Sequence, residues 1–283
     1  MPLIDDMDDR VDEPIEAHQC VNLGKITLQS VCGLVCNFST IHIHACSIDP
    51  TRFIESPMST IVLATQNPGK VDELRALLGG SQIHVLGLNE LGESFSEPDE
   101  TGETFIDNAT IKAVTYAKAT GRVCLADDSG LEIDALDGRP GVISSHYGFD
   151  GVIEGRAAEL TRHQRDEHNI DRVMAEMELV DFEDRSARFV CVMVLADPDG
   201  NILATSQGKF EGRIGLSCDD PHAAPCDCVP RGGNGFGYDP IFLIEPDYIK
   251  TSAELDAQAK NKISHRGQAV RAMIEQIKGF DLD

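Results

Sequence analysis

The sequence predicts an α/β protein, because short apolar runs alternate with segments whose apolar residues recur at helical spacing. Residues 61–64 form one apolar run of strand length, and a polar turn with Pro68 and Gly69 follows it. The next segment repeats apolar side chains at helical spacing, at Val71, Leu74, Leu77 and Leu78. Strand, turn and helix in this order are typical of α/β domains.

The remaining elements follow from the same patterns. In chain order they are a helix at 104–118, a short buried strand at 123–126, a long charged helix at 154–179, two alternating strands at 187–196 and 202–210 joined by a hairpin turn, and an amphipathic helix at 265–278. The helix at 104–118 places five apolar residues near one face: Phe105, Ile106, Ala109, Ala113 and Tyr116. Residues 218–231 contain three prolines and three cysteines, which predicts a loop insertion.

Composition restricts the classes of function. The chain has 283 residues, of which 41% are hydrophobic, enough for a sizeable core. Its net charge of −24 leaves little surface for neutralising a nucleic-acid backbone, so we expect no nucleic-acid partner. No apolar stretch approaches the roughly 20 residues of a membrane span, and the N-terminus lacks the pattern of a secretory signal. We therefore expect no membrane partner. Nine cysteines without zinc-type spacing favour reduced thiols, so we expect a cytoplasmic protein.

Residues 1–57 differ from the rest of the chain. They begin with a cluster of acidic residues, which predicts a solvated, disordered segment. Cysteines and histidines occur among apolar residues at 31–48, but their spacing fits no zinc pattern. Met58 lies three residues before the first strand. We therefore interpret 1–57 as a disordered extension or as a segment added by an upstream start, and 58–283 as the functional domain.

The polar turn at 65–70 is the first candidate site. It consists of Thr65, Gln66, Asn67, Pro68, Gly69 and Lys70. A helix begins at this turn, and free backbone N–H groups and the helix dipole favour an anion there. Lys70 adds a positive charge, which makes the turn a candidate phosphate site; an ordinary strand-to-helix turn is the alternative. It is not a Walker A loop, because Ala64 and Val71 replace residues which that motif requires.

The adjacent carboxylates Asp127 and Asp128 are the second candidate. They follow a buried strand, where charged groups cost desolvation energy unless cations or donors balance them. Alternation along a strand would point them in opposite directions, so that one can bind a metal while the other orients partners or a water. Their expected position at the strand end favours a functional site. An Asp-rich turn capped by Ser129 and Gly130 is the alternative.

An acidic segment at 97–103 leads into the helix at 104–118. Thr101 is a candidate N-cap of this helix. Mg²⁺ prefers one or two carboxylates together with water and phosphate oxygens, and Asp128 with one glutamate of this segment would satisfy it. Lys112, on the same helix, is placed to reach a phosphate, although an exposed lysine is the ordinary alternative.

Two later segments carry groups suited to a nucleobase. In 233–240, glycines flank Phe236, which can stack on a flat base; a tight structural turn is the alternative. In 260–267, His265 and Arg266 are donors suited to a keto oxygen or a ring nitrogen. Lys260 suits a phosphate, and Ser264 is a candidate cap of the last helix.

Five of these segments together resemble the Ham1/RdgB family of inosine triphosphate pyrophosphatases. The matching segments, in the order and spacing of the family, are 65–70, 100–105, 126–130, 236–239 and 264–266. The resemblance spans roughly residues 60–278, and five ordered motifs are far more specific than any single one. The extension at 1–57 and the insertion at 218–231 depart from the family pattern.

The resemblance implies a two-lobed α/β fold around a long mixed sheet, a nucleotide cleft between the lobes, and a homodimer. The implied reaction converts ITP, dITP or XTP and water into the monophosphate and pyrophosphate, with Mg²⁺. Asp128 would be the proton acceptor and a metal ligand, and Glu100 the second metal ligand. Lys70 and Lys112 would stabilise the departing pyrophosphate, with Asp127 as the other catalytic carboxylate. The residues implied to contact the purine nucleoside triphosphate are Thr65, Gln66, Asn67, Pro68, Gly69, Lys70, Ser129, Phe236, Gly237, Tyr238, Asp239, Lys260, His265 and Arg266.

Two other functions compete with this one. A Maf-like pyrophosphatase acting on pyrimidine or modified nucleotides shares the strand–turn–helix opening, but we would not expect Ser-His-Arg in a late helix. A catalytically silent nucleotide-binding module is the second alternative. The intact pair Asp127 and Asp128 argues against it.

Overall fold

A mixed sheet with helices on both faces makes up the fold, in a computed structural model that describes residues 59–79, 81, 83–152, 159–278 and 280. The predicted extension at 1–57 and its boundary at Met58 lie outside these residues. Among the helices of the described part, none has the length and apolar character needed to cross a membrane.

The described residues contain eight strands and five α-helices. The strands are β1 (Ser59–Leu63), β2 (Ile83–Gly87), β3 (Cys124–Ile133), β4 (Ser186–Ala196), β5 (Ile202–Ile214), β6 (Leu216–Ser217), β7 (Cys228–Val229) and β8 (Phe242–Ile244). The helices are α1 (Pro68–Leu78), α2 (Phe105–Thr120), α3 (Arg162–Glu176), α4 (Ala257–Ile263) and α5 (His265–Ile277). Several 3-10 segments connect them, including Gly141–Phe149.

Six strands form the main sheet in the order β2-β1-β3-β4-β5-β8. β1 runs parallel to β2 and to β3, whereas β3, β4, β5 and β8 pair antiparallel. The predicted α/β class with a long mixed sheet is therefore confirmed. The predicted loop insertion at 218–231 contains β7, which forms a separate parallel pair with β6.

Neighbouring residues of β3 pack against different helices. Leu125 belongs to an apolar cluster with buried residues of α1 and α5. Ala126 belongs to a second cluster, on the opposite face, with buried residues of α2. Because side chains alternate along a strand, Asp127 lies on the α1 and α5 side and Asp128 on the α2 side.

A third apolar cluster lies at the other end of the long strands. It joins the end of β3, the start of β4 and the end of β5 to β8 and α3, through residues that include Leu131, Phe189, Phe210, Phe242 and Val173. β3, β4 and β5 therefore contribute side chains both to this cluster and to the clusters that pack against α1, α2 and α5.

The prediction that β3 ends at Ala126 is wrong. β3 continues to Ile133, and Asp127 and Asp128 pair in register with Met193 and Val192 of β4. The Asp-rich turn considered as the alternative is therefore also wrong. The strand continues because β4 lies alongside it over its whole length, and because buried cations balance the two carboxylates.

Side-chain caps fix where the helices begin. Thr104, and not the predicted Thr101, caps α2, and it forms a capping box with Asp107. Ser264 caps α5 as predicted, accepting a hydrogen bond from the Gly267 N–H. Ile106 was placed on the buried face of α2 but is 45% exposed, because it lies beside rather than on the stripe that faces the sheet.

The predicted hairpin of β4 and β5 is confirmed, and the predicted charged helix at 154–179 corresponds to the shorter α3. Thr161 caps α3 and fixes its start eight residues later than 154. Residues 153–158 lie outside the described part of the chain.

Two glycines allow the first turn of α5 to pack closely. A Cβ at Gly208 of β5 would lie 2.1 Å from the backbone oxygen of His265. A Cβ at Gly267 would lie 2.0 Å from the backbone oxygen of Asn261 in α4. Both distances are far below contact distance, and backbone atoms cannot rotate away as a side chain can. Glycine is therefore required at both positions to place the start of α5.

Gly208→Ala should destabilise the protein, because the added methyl group forces β5 and α5 apart. We expect a loss of about 1–3 kcal/mol in the free energy of unfolding, the usual cost of overpacking. Urea denaturation measures it. Gly233→Ala is the matched control, since a Cβ there meets no atom within 4 Å. Equal unfolding midpoints for the two variants would contradict the close packing.

Candidate active site

A cleft of about 1000 Å³ brings the sequence-predicted segments together. The turn after β1, the acidic segment before α2, the middle of β3, the loop before β8 and the start of α5 all border it. Of the residues predicted to contact substrate, all except Gly69 line the cleft. Asp128, Glu100 and Lys112 line it as well, whereas Asp127 does not.

The turn at 65–70 is held by its own side chains. Asn67 caps α1, and its side-chain oxygen accepts a hydrogen bond from the Gly69 N–H. Thr65 accepts one from the Asn67 N–H, and Gln66 donates to the backbone oxygen of Phe95. The turn therefore has a fixed shape at the positive end of the α1 dipole, where an anion is favoured.

Asp127 is buried between two cations. Its Oδ2 lies 3.0 Å from Lys70 Nζ and 3.4 Å from the Arg266 guanidinium. Burial by itself would raise the pKa of this carboxyl, but Lys70 and Arg266 hold the pKa well below its usual range. Because the side chain does not reach the cleft surface, its position fits a role in placing Lys70 and Arg266 rather than contact with substrate.

Asp128 faces the other way and meets one cation. Its Oδ1 lies 2.8 Å from Lys112 Nζ, which is also 3.1 Å from Glu100 Oε2. Burial raises the pKa of Asp128 to about 6, because Lys112 only partly offsets the loss of hydration. The expected opposite orientation of the two adjacent carboxylates is therefore confirmed.

Lys112 is the buried cation of this side. Burial opposes its charge, yet Asp128 and Glu100 raise its pKa to about 12, so the ammonium stays charged. The default of an exposed helical lysine is therefore wrong. The geometry makes Lys112 a fixed charge at the cleft, paired with Asp128 until a ligand competes for it.

Asp128 and Glu100 suit a metal ion for which the protein supplies only some of the ligands. Asp128 Oδ2 is buried without a hydrogen-bond partner, and Glu100 lies across Lys112 from it. Hard oxygen ligands of this kind suit Mg²⁺, which takes its other ligands from water and phosphate. No group of three or more potential ligands occurs in the described residues, so a complete protein cage is not present there.

The loop before β8 presents an aromatic ring to the cleft. The Phe236 N–H donates to Asp239, which also accepts from Lys260. The hydroxyl of Tyr238 donates to the backbone oxygen of Ser144, a buried contact across the cleft floor. Asp239 and Tyr238 therefore hold the loop, and Phe236 is the member whose aromatic ring lines the cleft.

The first turn of α5 supplies His265 and Arg266. The His265 ring stacks on Phe189 at 5.1 Å between centroids, and its buried Nδ1 has no partner. Burial lowers the pKa of His265 well below its usual value, with the Arg266 charge adding to the effect, so the ring is neutral. Arg266 donates to Asp127, Glu73 and Ser129, so its guanidinium is largely bound within the protein.

Several cleft residues were missed by the sequence reasoning. They are Arg162, Arg165 and Asp166 of α3, and His146 of the segment after β3. Nothing distinguishes Arg162 and Asp166 from the other charges of a strongly polar helix. Their four-residue spacing was the available signal, and it is shared by many exposed pairs.

Comparison with known proteins places this arrangement in a family. The model of the Ham1 family matches residues 61–276. This chain belongs to the Ham1 family. A dITP/XTP pyrophosphatase of Nitratidesulfovibrio vulgaris is 44% identical over 222 residues, covering 78% of this chain and 97% of the relative. A dITP/XTP pyrophosphatase of Bacillus subtilis is 40% identical over 216 residues, covering 76% and 96%.

Solved structures agree with this assignment. A HAM1 protein from Coxiella burnetii is 40% identical and superposes with a TM-score of 0.63, covering 79% of this chain and the whole of that one. A Ham1 protein of Staphylococcus aureus is 35% identical with a TM-score of 0.60. The resemblance found in the sequence is therefore confirmed, and the Maf-like alternative loses its support.

Replacing the two adjacent carboxylates should reduce stability to different extents. Asp127→Asn leaves Lys70 and Arg266 without their shared counter-charge, and we expect a loss of about 3 kcal/mol at pH 7. Asp128→Asn removes a charge that burial disfavours, and Lys112 keeps Glu100 as a partner, so the metal-free protein should lose less stability than with Asp127→Asn.

Urea denaturation of both variants in EDTA tests this contrast. Because the folded pKa of Asp127 is depressed, its contribution is present above about pH 4, the unfolded value, and is lost as the pH falls through the folded pKa. The difference in unfolding free energy between the unmutated protein and Asp127→Asn should therefore become smaller as the pH falls below about 4. Equal losses in the two variants at pH 7 would contradict the structure.

Proposed function

We propose that this chain hydrolyses the triphosphates of deaminated purines, ITP, dITP and XTP, to the monophosphate and pyrophosphate. Its relatives are named dITP/XTP pyrophosphatases. The observation that carries the proposal is one cleft, where the turn at 65–70, the Asp128 carboxylate and the Phe236 ring meet. These are the three parts that a nucleotide pyrophosphatase requires.

The triphosphate is bound by the turn at 65–70 together with two lysines. Lys70 is fixed by Asp127 and lies at the start of α1, where the helix dipole adds to its charge. Lys112 lies on the opposite side, next to Asp128. Positive charges on both sides of the phosphate chain stabilise the charge that develops on the departing pyrophosphate.

Asp128 is the proton acceptor of the reaction. Its raised pKa makes it a better base than an exposed aspartate, while it remains mostly ionised at neutral pH. A water held by this carboxylate is directed at the α-phosphorus. Asp128 and Glu100 would hold Mg²⁺, which supplies charge neutralisation on the phosphate oxygens.

The base is selected by its keto oxygen at C6. A purine stacked on Phe236 faces the start of α5, where His265 is neutral and keeps an N–H to donate. Adenine presents an amino group there, which leaves two donors facing each other and a buried group unpaired. Arg266 is bound to Asp127 and Glu73, so we assign the contact with the oxygen mainly to His265.

The same proposal includes a homodimer and a cytoplasmic enzyme, with no nucleic-acid or membrane partner. The acidic composition supports the absence of a nucleic-acid partner. Sedimentation of the full chain gives the oligomeric state directly.

Pyrophosphate release from ITP, XTP, GTP, ATP and dTTP tests the activity. With Mg²⁺ we expect turnover of ITP and XTP at least ~100-fold above that of ATP, the discrimination that an unpaired buried polar group supports. EDTA should abolish turnover of every substrate. A preference for dTTP, or turnover unaffected by EDTA, would contradict the proposal.

Asp128→Asn tests the mechanism. We expect kcat for ITP to fall by roughly 10²–10⁴-fold, the usual contribution of a positioned base, while ITP still binds. Asp199→Asn, at an exposed hairpin turn, is the matched control and should retain full activity. Unchanged turnover in Asp128→Asn would remove this carboxylate from the mechanism.

A further inference from the structure

Helix α3 borders the cleft, although none of the family motifs lies on it. Arg162 and Asp166 are one helical turn apart, and both line the cleft. The side chains face the loop that carries Phe236 and Gly237. This pair is therefore placed to act on the base rather than on the phosphates.

Arg162 covers the Phe236 ring. Its guanidinium carbon lies 4.7 Å from the ring centroid, within the range of a cation–π contact. The side chain is 46% exposed, and its Nε is 4.0 Å from Asp166 Oδ2, a long ion pair. Arg162 is thus held mainly by the ring and can move.

Two other cations near the same ring are committed elsewhere. Lys260 lies 5.6 Å and Arg266 5.8 Å from the Phe236 centroid. Lys260 is paired with Asp239, and Arg266 with Asp127 and Glu73. Of the three cations, Arg162 is the one whose planar group is available to a ligand.

Asp166 fixes the loop itself. Its Oδ2 accepts a hydrogen bond of 3.0 Å from the Gly237 N–H, and its side chain is 17% exposed. Gly237 has a φ of 60° and directly follows Phe236. This bond ties the backbone next to the ring to α3, and together with the bond from the Phe236 N–H to Asp239 it orients the ring.

We infer that Arg162 contacts the base, stacking on the purine face opposite Phe236, and that Asp166 is a positioning residue for the ring. The inference rests on the proposed function. A base between the two groups needs a gap of about 7 Å, twice a stacking contact, so Arg162 moves outward by about 2 Å. A guanidinium suits this role because it is planar, always charged and weakly hydrated.

The test compares binding of ITP with binding of inorganic triphosphate, which has no base. Calorimetry in the Asp128→Asn background measures both without turnover. Arg162→Ala should weaken ITP binding by roughly 3- to 30-fold, the range of a cation–π contact, and leave inorganic triphosphate unchanged. Arg162→Lys should recover part of the loss, since it keeps the charge but not the plane.

His163→Ala is the matched control, because that side chain is 86% exposed on the same helix. It should change neither affinity. Equal weakening of both ligands by Arg162→Ala would overturn the inference, since the residue would then act on phosphate. Unchanged or tighter ITP binding would also overturn it, the latter by showing that Arg162 blocks the base.

Asp166 is tested by paired variants. Asp166→Ala removes the acceptor for the Gly237 N–H and should weaken ITP but not inorganic triphosphate, whereas Asp166→Asn keeps an acceptor and should retain ITP binding. Glu167→Ala, at an exposed neighbouring position, is the control. Identical ITP affinity in Asp166→Ala and the unmutated chain would overturn the positioning role. Failure of the proposed function is distinguishable, because it would appear as absent turnover of ITP by the unmutated enzyme.

Discussion

The site depends on one buried carboxylate, Asp127, that neutralises two cations from different elements. Lys70 comes from α1 and Arg266 from α5, and both reach the middle of β3. Placing two positive groups so close together without Asp127 would be strongly unfavourable, because burial lowers the dielectric screening between them. Their shared partner therefore joins the turn at 65–70 to the helix that bears His265. A residue that does not line the cleft thus determines how two of its walls meet.

The neighbouring carboxylate shows how much environment decides chemistry. Asp127 and Asp128 are adjacent in sequence and both buried, but their side chains lie on opposite faces of the sheet. With two cations the pKa of Asp127 is lowered, and with one shared cation that of Asp128 is raised. Environments that push paired acids apart in pKa are a mark of assigned roles in catalysis. Here one acid is held ionised between two cations, and the pKa of the other lies closer to neutrality.

Local signals in the sequence were sufficient for much of the fold. Apolar spacing predicted α1, α2 and α5, and the turn residues between β4 and β5 predicted the hairpin. The length of β3 was not predictable, because two adjacent carboxylates usually mark the end of a buried strand. The cations that balance them come from distant parts of the chain, which no local pattern reveals. Thr104 rather than Thr101 caps α2 because the reciprocal bond to Asp107 decides between two plausible caps.

The candidate site was predictable to the extent that it lies in motifs. Most of the predicted residues share one cleft, with Gly69 and Asp127 as the exceptions, and this placement follows from strand order, which no local pattern contains. Arg162 and Asp166 escaped because their importance comes from a loop more than 70 positions away in the chain. The burial of Lys112 was missed for a similar reason, since its partners Asp128 and Glu100 belong to other segments.

The glycines that face the start of α5 have a consequence for which wall of the cleft tolerates substitution. Backbone atoms occupy the space that a Cβ at Gly208 or Gly267 would need, so the wall formed by the start of α5 has no room for a larger residue at either position. The wall formed by α3 meets the loop that carries Phe236 through the hydrogen bond from the Gly237 N–H to Asp166 and through the Arg162 guanidinium over the ring. The start of α5 is therefore placed by backbone contacts, whereas α3 meets the loop that carries Phe236 through side chains. Natural variation in base preference should accordingly accumulate on α3, where a change of side chain does not disturb the fixed half of the site.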